Sequence, residues 1–327
     1  METRRLGLTW LPVTSMGIGL AALGRPAYIT AGRDADLGPA RDPGALERRT
    51  HEVLDAAFDA GLRYVDVARS YGLAEAFLAD WLHDRKVSPG TITIGSKWGY
   101  TYVGDWRTDA PVHEVKDHSL AALRRQMAES RTILGNHLSL YQVHSATLES
   151  GVLDDDEVLA ELVRYREAGL AVGVTVSGPR QAEVIRAALD AGVDGVNPFA
   201  LVQATWNVLE PSCGPALAEA HDAGWGVIVK EGVANGRLTP YGRDGRHPVM
   251  RRIAENHRAN ADQIALAAVL AQPWADVVLS GAATIDALRS NLGATRVTLD
   301  EQDLEHLARL AEPAINYWRS RSSLPWT

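Results

Sequence analysis

The sequence is poor in cysteine, in basic residues and in long apolar runs, the features that are typical of disulfide-rich, nucleic-acid-binding and membrane proteins. Its 327 residues contain one cysteine, Cys213, which excludes an internal disulfide framework and any metal site built from several cysteines. Acidic residues outnumber basic ones, 41 to 33, so the chain lacks the positive surface of proteins that bind nucleic acids or anionic membranes. No stretch approaches the ~18 consecutive apolar residues of a membrane span. We therefore expect no nucleic-acid or membrane partner, and a cytoplasmic location.

Lysine is also scarce, because only four of the basic residues are lysines: Lys86, Lys97, Lys116 and Lys230. Where positive charge alone is needed, this chain places arginine. A lysine can change its pKa and can tune a neighbouring phenol, which the permanently charged guanidinium does less readily. The few lysines are therefore candidate functional residues.

The N-terminus resembles a signal peptide only superficially. Arg4 and Arg5 precede an uncharged run over residues 6–24. Pro12, several hydroxyl-bearing residues and glycines interrupt this run, so its apolar block is poor. The pattern favours a turn and strand at the N-terminus of a mature protein.

A recurring Ala-Gly pair divides the chain into units. It occurs at 60–61, 168–169, 191–192 and 223–224, each time after a segment with helical periodicity and before a short apolar run. Glycine just past the last periodic residue is a helix stop, since it enters the left-handed conformation at little cost. The apolar runs that follow are typical of parallel strands covered on both faces.

Eight strands alternate with helical segments along the chain. They are predicted at 16–20, 64–68, 92–97, 138–144, 171–176, 196–200, 226–230 and 277–282. This order predicts an α/β protein, a closed (β/α)8 TIM barrel in one domain over residues 1–327, with an open doubly wound sheet as the rival.

Two long connections and an aromatic C-terminal segment accompany the predicted barrel. The connections span residues 24–45 and 99–119, and loops of this length in a compact fold are usually functional. Tyr317, Trp318 and Trp326 are too many aromatic residues for a solvated end. We expect this C-terminal segment to pack against the rest of the molecule.

Polar side chains stand at or near the ends of several predicted strands. They are Asp66, Lys97, His144, Gln203 and Lys230, with Tyr71 just past the second strand. In a (β/α)8 barrel the chemistry takes place at the C-terminal ends of the strands. Each residue alone could be structural, as buried Asp–Lys pairs and core histidines often are. Together they predict one site at the mouth of the barrel.

The residues around these positions resemble the aldo-keto reductase family. The similar segments are GLRYVDVARSYGLAEAFL at 61–78, SKWG at 96–99, YQVH at 141–144 and SGAATIDALRSNLGA at 280–294. The resemblance extends over nearly the whole chain and implies NADPH-dependent carbonyl reduction on a (β/α)8 barrel without a Rossmann domain. Accordingly, GIGLAALG at 17–24 is not a dinucleotide fingerprint, because its third glycine is misplaced.

The resemblance and the chemistry together assign four catalytic roles. Carbonyl reduction needs a hydride, which no side chain supplies, so a nicotinamide is required. It also needs a proton, and a phenol with a pKa near ~10 becomes a better acid beside an ammonium. We expect Tyr71 to be the general acid, Lys97 to tune its pKa, Asp66 to hold Lys97, and His144 to orient the substrate oxygen.

The cofactor site departs from the family pattern in several places. Thr175 and Val176 stand where the resemblance implies a Ser-Asn pair, and Gln203 matches the other carboxamide contact. Lys230 stands where an aromatic residue would stack on the nicotinamide, and Gly232-Val233 replaces a Pro-Leu pair.

Other candidate cofactor-binding residues are two glycines, Gly19 and Gly281, and two residues near the C-terminus. Asn291 matches an adenine-contacting position, and Arg289 could meet a 2′-phosphate or could belong to a solvated helix face. We expect NADPH as the cofactor and leave NADH open.

The substrate pocket and the remaining clusters give weaker indications. Trp98, Tyr100 and Trp106 suggest an apolar wall, while Arg107 and Lys230 could accept an anion. Lys230 could also form a Schiff base with a carbonyl, or simply pair with Glu231. The acidic run at 154–157 is expected to begin a helix rather than to bind a metal, and no metal site is predicted.

Three functions remain open at this point. The first is a nicotinamide-dependent oxidoreductase that acts on a small-molecule carbonyl substrate, an aldehyde, ketone or sugar, as a monomer or weak homo-oligomer. The second is a lysine-dependent aldolase or isomerase on the same barrel, using Lys97 or Lys230. The third is a non-catalytic regulatory subunit that binds NADP(H). The set Asp66, Tyr71, Lys97 and His144 favours the first, since binding alone needs no proton donor.

Overall fold

Strands and helices alternate along the chain in the structure, a computed structural model that describes residues 1–30, 32 and 36–326. The strands of this described part are Thr3–Arg5 (β1), Pro12–Thr14 (β2), Met16–Gly19 (β3), Tyr64–Asp66 (β4), Thr93–Trp98 (β5), Tyr100–Tyr102 (β6), Glu114–Lys116 (β7), Leu138–Ala146 (β8), Ala171–Val176 (β9), Leu201–Thr205 (β10), Gly226–Lys230 (β11) and Val277–Ser280 (β12). The α-helices are Pro43–Asp59 (α1), Ala74–Asp84 (α2), Leu120–Leu134 (α3), Asp156–Glu167 (α4), Gln181–Asp190 (α5), Gly214–Asp222 (α6), Pro248–His257 (α7), Ala261–Leu270 (α8), Ile285–Leu292 (α9), Glu301–Ala308 (α10) and Ala314–Ser322 (α11).

Eight parallel strands close into a barrel, which confirms the predicted fold and excludes the open sheet. The order around the barrel is β3-β4-β5-β8-β9-β10-β11-β12, and β12 pairs with β3 through Val278 and Met16. Sequential strands are neighbours throughout, as expected for repeated β–α units. The C-terminal ends of all eight strands therefore lie at one end of the barrel.

The helices cover the outside of the barrel with their apolar faces. In α1, Asp42 caps the N-terminus by accepting a hydrogen bond from the amide of Ala45 at 3.0 Å, and Pro43 takes the first turn, where its missing N–H costs nothing. The buried positions of this helix follow a helical period: Leu46, Thr50, Val53, Leu54 and Ala57. This face joins the main core between the helices and the strands.

The predicted strand at 196–200 is wrong, because the sixth barrel strand is Leu201–Thr205. Asn197 is hydrogen-bonded to the end of α5. Its side-chain nitrogen Nδ2 donates to the carbonyls of Ala188 and Leu189 at 2.9 and 3.0 Å. Pro198 has no N–H to offer a strand ladder. The Asn197 side chain therefore serves the C-terminal carbonyls of α5, and strand pairing begins only after Pro198.

The Ala-Gly pairs end their helices as predicted in three of four units. Gly61, Gly169 and Gly224 have φ values of 88°, 90° and 85°, the left-handed conformation that closes a helix. Gly192 does not adopt it, and α5 instead ends with Ala191 in an extended conformation. This exception belongs to the same unit in which the strand was misplaced.

The N-terminal residues form a hairpin that closes the bottom of the barrel, consistent with the predicted turn and strand. β1 pairs with β2, and Leu6, Leu11 and Val13 are fully buried in a cluster with Tyr64. Gly7 makes this approach possible, because a Cβ at this position would come within 2.3 Å of the amide nitrogen of Gly226.

The long loop at 99–119 and the C-terminal segment meet at the opposite end of the barrel. β6 and β7 form a hairpin within the loop. Tyr317 and Trp318 of α11 are buried, and the ring of Trp326 stacks on His113 with centroids 4.3 Å apart. The expectation that the aromatic C-terminal segment packs is confirmed. Among the described residues, every helix is too short or too polar to cross a lipid bilayer.

Candidate active site

The structure brings the four expected catalytic side chains together at the mouth of the barrel. Asp66 ends β4, Lys97 lies in β5 and His144 lies in β8, while Tyr71 follows β4 in a loop. The Lys97 ammonium donates to Asp66 Oδ1 and lies 3.4 Å from Tyr71 Oη. The rings of Tyr71 and His144 meet edge to face with centroids 5.6 Å apart.

Asp66 is held by hydrogen bonds from its own strand, β4, and from β8 and β10 across the barrel. Its Oδ2 accepts from Gln203 Nε2 at 2.8 Å, from Tyr64 Oη at 3.2 Å and from Gln142 Nε2 at 3.5 Å. Lys97 and Asp66 are almost fully buried, and such a pair is tolerated when its remaining hydrogen-bonding capacity is satisfied. The carboxylate is therefore fixed in position and in turn fixes Lys97.

Gln142 is a residue of the candidate site that the sequence analysis missed. It precedes His144 by two positions in β8, so both side chains leave the strand on the same side. A period-two reading of YQVH would have placed Gln142 beside His144 at the mouth.

The backbone segments at Gly24 and Gly72 lie in close contact, and this contact sets the position of Tyr71. Gly72 has φ +60°, and a Cβ there would come within 2.4 Å of the carbonyl oxygen of Gly24. The amide of Leu73 donates to the same oxygen at 2.8 Å. The Tyr-Gly pair is therefore a structural requirement of the loop that presents the phenol.

Burial dominates the electrostatics of Tyr71. It raises the pKa of the phenol well above its usual range, the Asp66 carboxylate raises it further, and the Arg25 guanidinium lowers it. The expected lowering of this pKa by Lys97 is not the net result, because burial and the Asp66 carboxylate together raise it. At neutral pH the phenol keeps its proton, which is the form that a proton donor needs.

His144 is held in its neutral form. Burial lowers the pKa of the imidazole well below its usual range, and the charge of Lys97 lowers it further. Ser70 Oγ lies 3.5 Å from Nδ1. A neutral imidazole can donate one hydrogen bond to a substrate oxygen and introduces no charge into the mouth.

Arg25 is a second residue that the sequence analysis missed. It is 1% exposed, and its guanidinium lies 5.2 Å from the ring centroid of Tyr71 and 4.9 Å from that of Trp326. Glu114 pairs with it at 2.8 Å. Its only sequence signal is its place in the long loop after β3, so its contact with Tyr71 could not be inferred.

A groove beside Tyr71 contains several of the expected cofactor-binding residues. It is lined by Gly19, Gln203, Lys230 and Gly281, together with the segment 231–236. A Cβ at Gly281 would meet no atom within 4 Å, so the absence of a side chain leaves space there. Asn235 Oδ1 is buried with no hydrogen-bond partner among the described residues. These features fit a ligand that brings its own hydrogen-bond donors, as a nicotinamide dinucleotide does.

Thr175 lies in the neighbouring part of the mouth. Its hydroxyl oxygen accepts a hydrogen bond from the amide of Ser145 at 2.7 Å, and it lines the cavity that also contains Tyr71 and His144. Ser177, which follows Val176, supplies a second hydroxyl to that cavity.

Asn291 and Arg289 lie outside the groove. Asn291 is buried, and its side chain binds Asp262 and Ser280 at 2.8 Å each, so it ties α9 to α8 and β12. Arg289 projects from the solvent face of α9, 74% exposed and 3.9 Å from Asp286. Their contacts with a cofactor stay predictions.

Lys230 is part of a buried charge network. Its ammonium donates to Thr205 Oγ1 at 2.8 Å and to Ser177 Oγ at 3.3 Å, and it lies 3.9 Å from Glu231. Glu231 is bound more closely by Arg321 of α11. Burial lowers the pKa of Lys230 to about 8, while Arg321 and Lys230 together hold the pKa of Glu231 at about 2.

Only one of the three residues expected to form the substrate wall lines the cavity that contains Tyr71 and His144. Tyr100 does, with its ring centroid 5.0 Å from that of His144. Trp98 does not, because the residue after Lys97 leaves β5 on the opposite side and is fully buried. Trp106 lies in an outer groove, where its Nε1 donates to the carbonyl of Arg41 at 2.8 Å.

Arg107, expected as an anion acceptor, lies at the surface. It is more than half exposed and pairs with Asp109 at 3.0 Å. It lines the outer groove and not the cavity that contains Tyr71.

Comparison with known proteins agrees with the fold and identifies the family. The model of the aldo/keto reductase family matches residues 40–312. The aldo-keto reductase str7 of Strobilurus tenacellus is 24% identical over 95% of this chain and 92% of its own length, and the uncharacterized oxidoreductase YqkF of Bacillus subtilis is 22% identical over 94% and 95%. Among solved structures, the holo form of aldo-keto reductase AKR11C1 from Bacillus halodurans superposes with a TM-score of 0.71 at 22% identity, covering 96% of this chain and 98% of that one. The chain belongs to the aldo/keto reductase family, whose members are nicotinamide-dependent oxidoreductases.

Proposed function

We propose that the protein reduces the carbonyl group of an aldehyde, ketone or sugar to an alcohol, with NADPH as the preferred cofactor and NADH as the alternative. One observation carries the proposal: Lys97 lies between Asp66 and Tyr71, beside His144, at the edge of a groove that contains several of the expected cofactor-binding residues. A proton donor is needed for reduction of a carbonyl and would serve no purpose in a protein that only binds the cofactor.

The residues around the groove would hold the nicotinamide end of the cofactor. Gly19 and Gly281 leave room along one wall, while Gln203, Thr175 and Lys230 offer polar groups at the mouth. A bound reduced nicotinamide supplies the hydride, which no side chain can provide. The family resemblance is the support for NADPH, with Arg289 on the surface of α9 as the residue expected to meet its 2′-phosphate.

Tyr71 and His144 would act on the substrate oxygen from the protein side. Tyr71 Oη donates its proton to the carbonyl oxygen as negative charge develops there, and the Lys97 ammonium 3.4 Å away stabilises the phenolate that remains. His144 donates a second hydrogen bond and orients the carbonyl. Asp66 positions Lys97 and does not touch the substrate.

The test is the variant Tyr71→Phe, assayed with NADPH and a panel of aldehydes, ketones and sugars. We expect kcat to fall by about 10²–10⁴-fold, the contribution of general acid catalysis. The dissociation constant for NADPH, measured by fluorescence titration beside that for NADH, should stay unchanged.

Tyr241→Phe is the matched control, because Tyr241 is 91% exposed and far less constrained. Near wild-type turnover by Tyr71→Phe would exclude the proposal. Turnover without a nicotinamide would favour a lysine-dependent lyase or isomerase, and NADPH binding without turnover of any carbonyl would favour a regulatory subunit.

A cytoplasmic location is part of the proposal, supported by a lone buried cysteine that needs no oxidising compartment.

A further inference from the structure

The cavity in front of Tyr71 and His144 is lined by charges that do not balance. Two of its carboxylates are each bound by an arginine, Glu114 by Arg25 at 2.8 Å and Glu231 by Arg321. Deeper in the mouth, Asp66 is bound by Lys97. These pairs leave no carboxylate of the cavity lining in need of a cation.

Two lysines of the same cavity remain without a carboxylate of their own. Lys116 donates to the carbonyl oxygen of Ser145 at 2.8 Å, and the carboxylate whose charge acts on it, Glu149, is paired with Arg180 at 3.0 Å. Lys230 has Glu231 at 3.9 Å, but Arg321 holds that carboxylate more closely. The cavity therefore carries an excess of about two positive charges in a chain whose net charge is −8.

Two serine hydroxyls lie between these ammonium groups. Ser145 Oγ is 3.1 Å from Ser177 Oγ, which is 3.3 Å from Lys230 Nζ. Ser145 follows His144 directly and has φ +53°, a conformation that a serine rarely adopts. Unfavourable backbone conformations of this kind concentrate at ligand-binding sites.

We propose that Lys116, Ser145, Ser177 and Lys230 bind an anionic group, a carboxylate or a phosphate, carried by the carbonyl substrate. This inference rests on the proposed function and narrows its substrate class to anionic aldehydes or ketones. The carbonyl lies at Tyr71 and His144, and the anion lies on the far side of His144, toward Lys116.

The chemistry of the four residues fits such a group. Two ammonium groups and two hydroxyls offer several donors to oxygen atoms that need them, and hydrogen bonds to a charged acceptor are roughly twice as strong as neutral ones. The positive mouth would also attract anionic substrates that the net charge of the protein otherwise repels. Three of the four lysines of the chain lie at this mouth, and the two arginines beside them, Arg25 and Arg321, are each paired with a carboxylate.

The first test compares substrates that differ in charge. The carboxylate pair is 4-carboxybenzaldehyde against 4-formylbenzamide, and the phosphate pair is glyceraldehyde 3-phosphate against glyceraldehyde. We expect the wild type to prefer at least one anionic member by about tenfold or more in kcat/KM, the value of one or two charged hydrogen bonds. Lys116→Gln should reduce that preference about tenfold and leave turnover of the neutral member unchanged.

Lys116→Arg and Lys86→Gln are the matched controls. The arginine variant keeps the charge and should retain part of the preference. Lys86 follows α2 at the surface, outside the cavity, so its replacement removes a lysine with no effect on the preference.

The second test measures binding without catalysis. Benzoate and inorganic phosphate are titrated into the wild type and Lys116→Gln by ligand-observed NMR, and we expect the variant to bind at least one of them about tenfold more weakly. Loss of phosphate binding alone assigns a phosphate, and loss of benzoate binding alone assigns a carboxylate.

The two tests separate this inference from the function on which it rests. Equal reduction of charged and neutral aldehydes, with no effect of Lys116→Gln, would overturn the anion site and leave the reductase intact. Anion binding that depends on Lys116, without reduction of any carbonyl, would support the anion site and overturn the proposed function.

Discussion

The ammonium group of Lys230 lies in a cavity where burial lowers its pKa to about 8, against 10.5 for a lysine in water. The unfolded chain therefore holds this proton more tightly than the folded protein does. The cost to stability is present in full below pH 8, decreases between pH 8 and pH 10.5, and is absent above that range. A shift of this size corresponds to a cost on the order of 3 kcal/mol.

Lys230→Met should therefore raise the stability of the protein at pH 7. The partners of the amine each keep another contact. Thr205 is hydrogen-bonded to Glu231, Ser177 Oγ lies near Ser145 Oγ, and Glu231 is bound by Arg321, so the change leaves no carboxylate unpaired. We expect the melting temperature, measured by calorimetry, to rise by a few degrees at pH 7 and by less at pH 10.

Lys86→Met provides the control for this prediction, because Lys86 lies at the surface and should give no pH-dependent gain. A lower melting temperature for Lys230→Met at pH 7 would show that the amine stabilises the fold. In that case its contacts with Thr205 and Ser177 outweigh the cost of burying it.

The sequence predicted the positions of the reacting groups better than their environments. Asp66, Lys97 and His144 could be placed together because strand ends converge in a barrel, whatever the details of packing. The pairing of Arg25 with Glu114 joins two loops that are far apart in the chain, and no local pattern encodes it. The pKa of Tyr71 likewise depends on burial, which only the folded structure determines.

The acidic run at 154–157 begins a helix, as its sequence indicated. Asp155 caps α4, with its Oδ1 accepting hydrogen bonds from the amides of Glu157 and Val158 at 3.1 Å each. Asp154 is exposed and its side chain makes no cap. Two adjacent aspartates therefore have different roles.

Asp155→Ala should destabilise the protein by about 1 kcal/mol, the usual cost of losing an N-cap. Asp154→Ala should change the free energy of unfolding by less than about 0.5 kcal/mol, as surface substitutions usually do. Urea denaturation of both variants measures the difference. Equal effects of the two substitutions would mean that general charge near the helix dipole, and not the cap, stabilises α4.

The strand error at 196–200 shows what local patterns omit. Val196 and the residues after it are apolar enough for a strand, yet Asn197 caps α5 and Pro198 cannot join a ladder. Apolar runs of four to eight residues are ambiguous by periodicity alone. The true strand, Leu201–Thr205, contains two polar residues, Gln203 and Thr205, which made it look less like a buried strand. Gln203 lines the mouth, and Thr205 Oγ1 accepts a hydrogen bond from Lys230.

The barrel as a whole separates stability from chemistry at its two ends. The hairpin of β1 and β2 fills the N-terminal end with apolar side chains, whereas the C-terminal end carries the buried charges and the cavity. This division is common to (β/α)8 barrels, whose catalytic groups stand at the C-terminal face. Substitutions at the two ends should therefore act on different properties.

Leu6→Ala tests this division, because Leu6 is fully buried and packs against the start of β11 at Gly226. We expect a loss of about 2–5 kcal/mol in the free energy of unfolding, from lost apolar contact and the cavity that remains. The value of kcat/KM at temperatures where the variant is folded should stay near that of the wild type. Leu8, in the same hairpin but 82% exposed, supplies the control, and Leu8→Ala should change neither property.

We expect Leu6→Ala and Lys230→Met to have opposite effects on stability and on activity. The first should lower stability and keep activity, and the second should raise stability and reduce activity toward anionic substrates, since a buried amine that serves binding costs folding energy. A Leu6→Ala variant that folds but loses kcat/KM as strongly as stability would contradict the division. It would show that the packing of the N-terminal end is transmitted along the strands to Asp66 and Lys97, so that the barrel acts as one rigid unit.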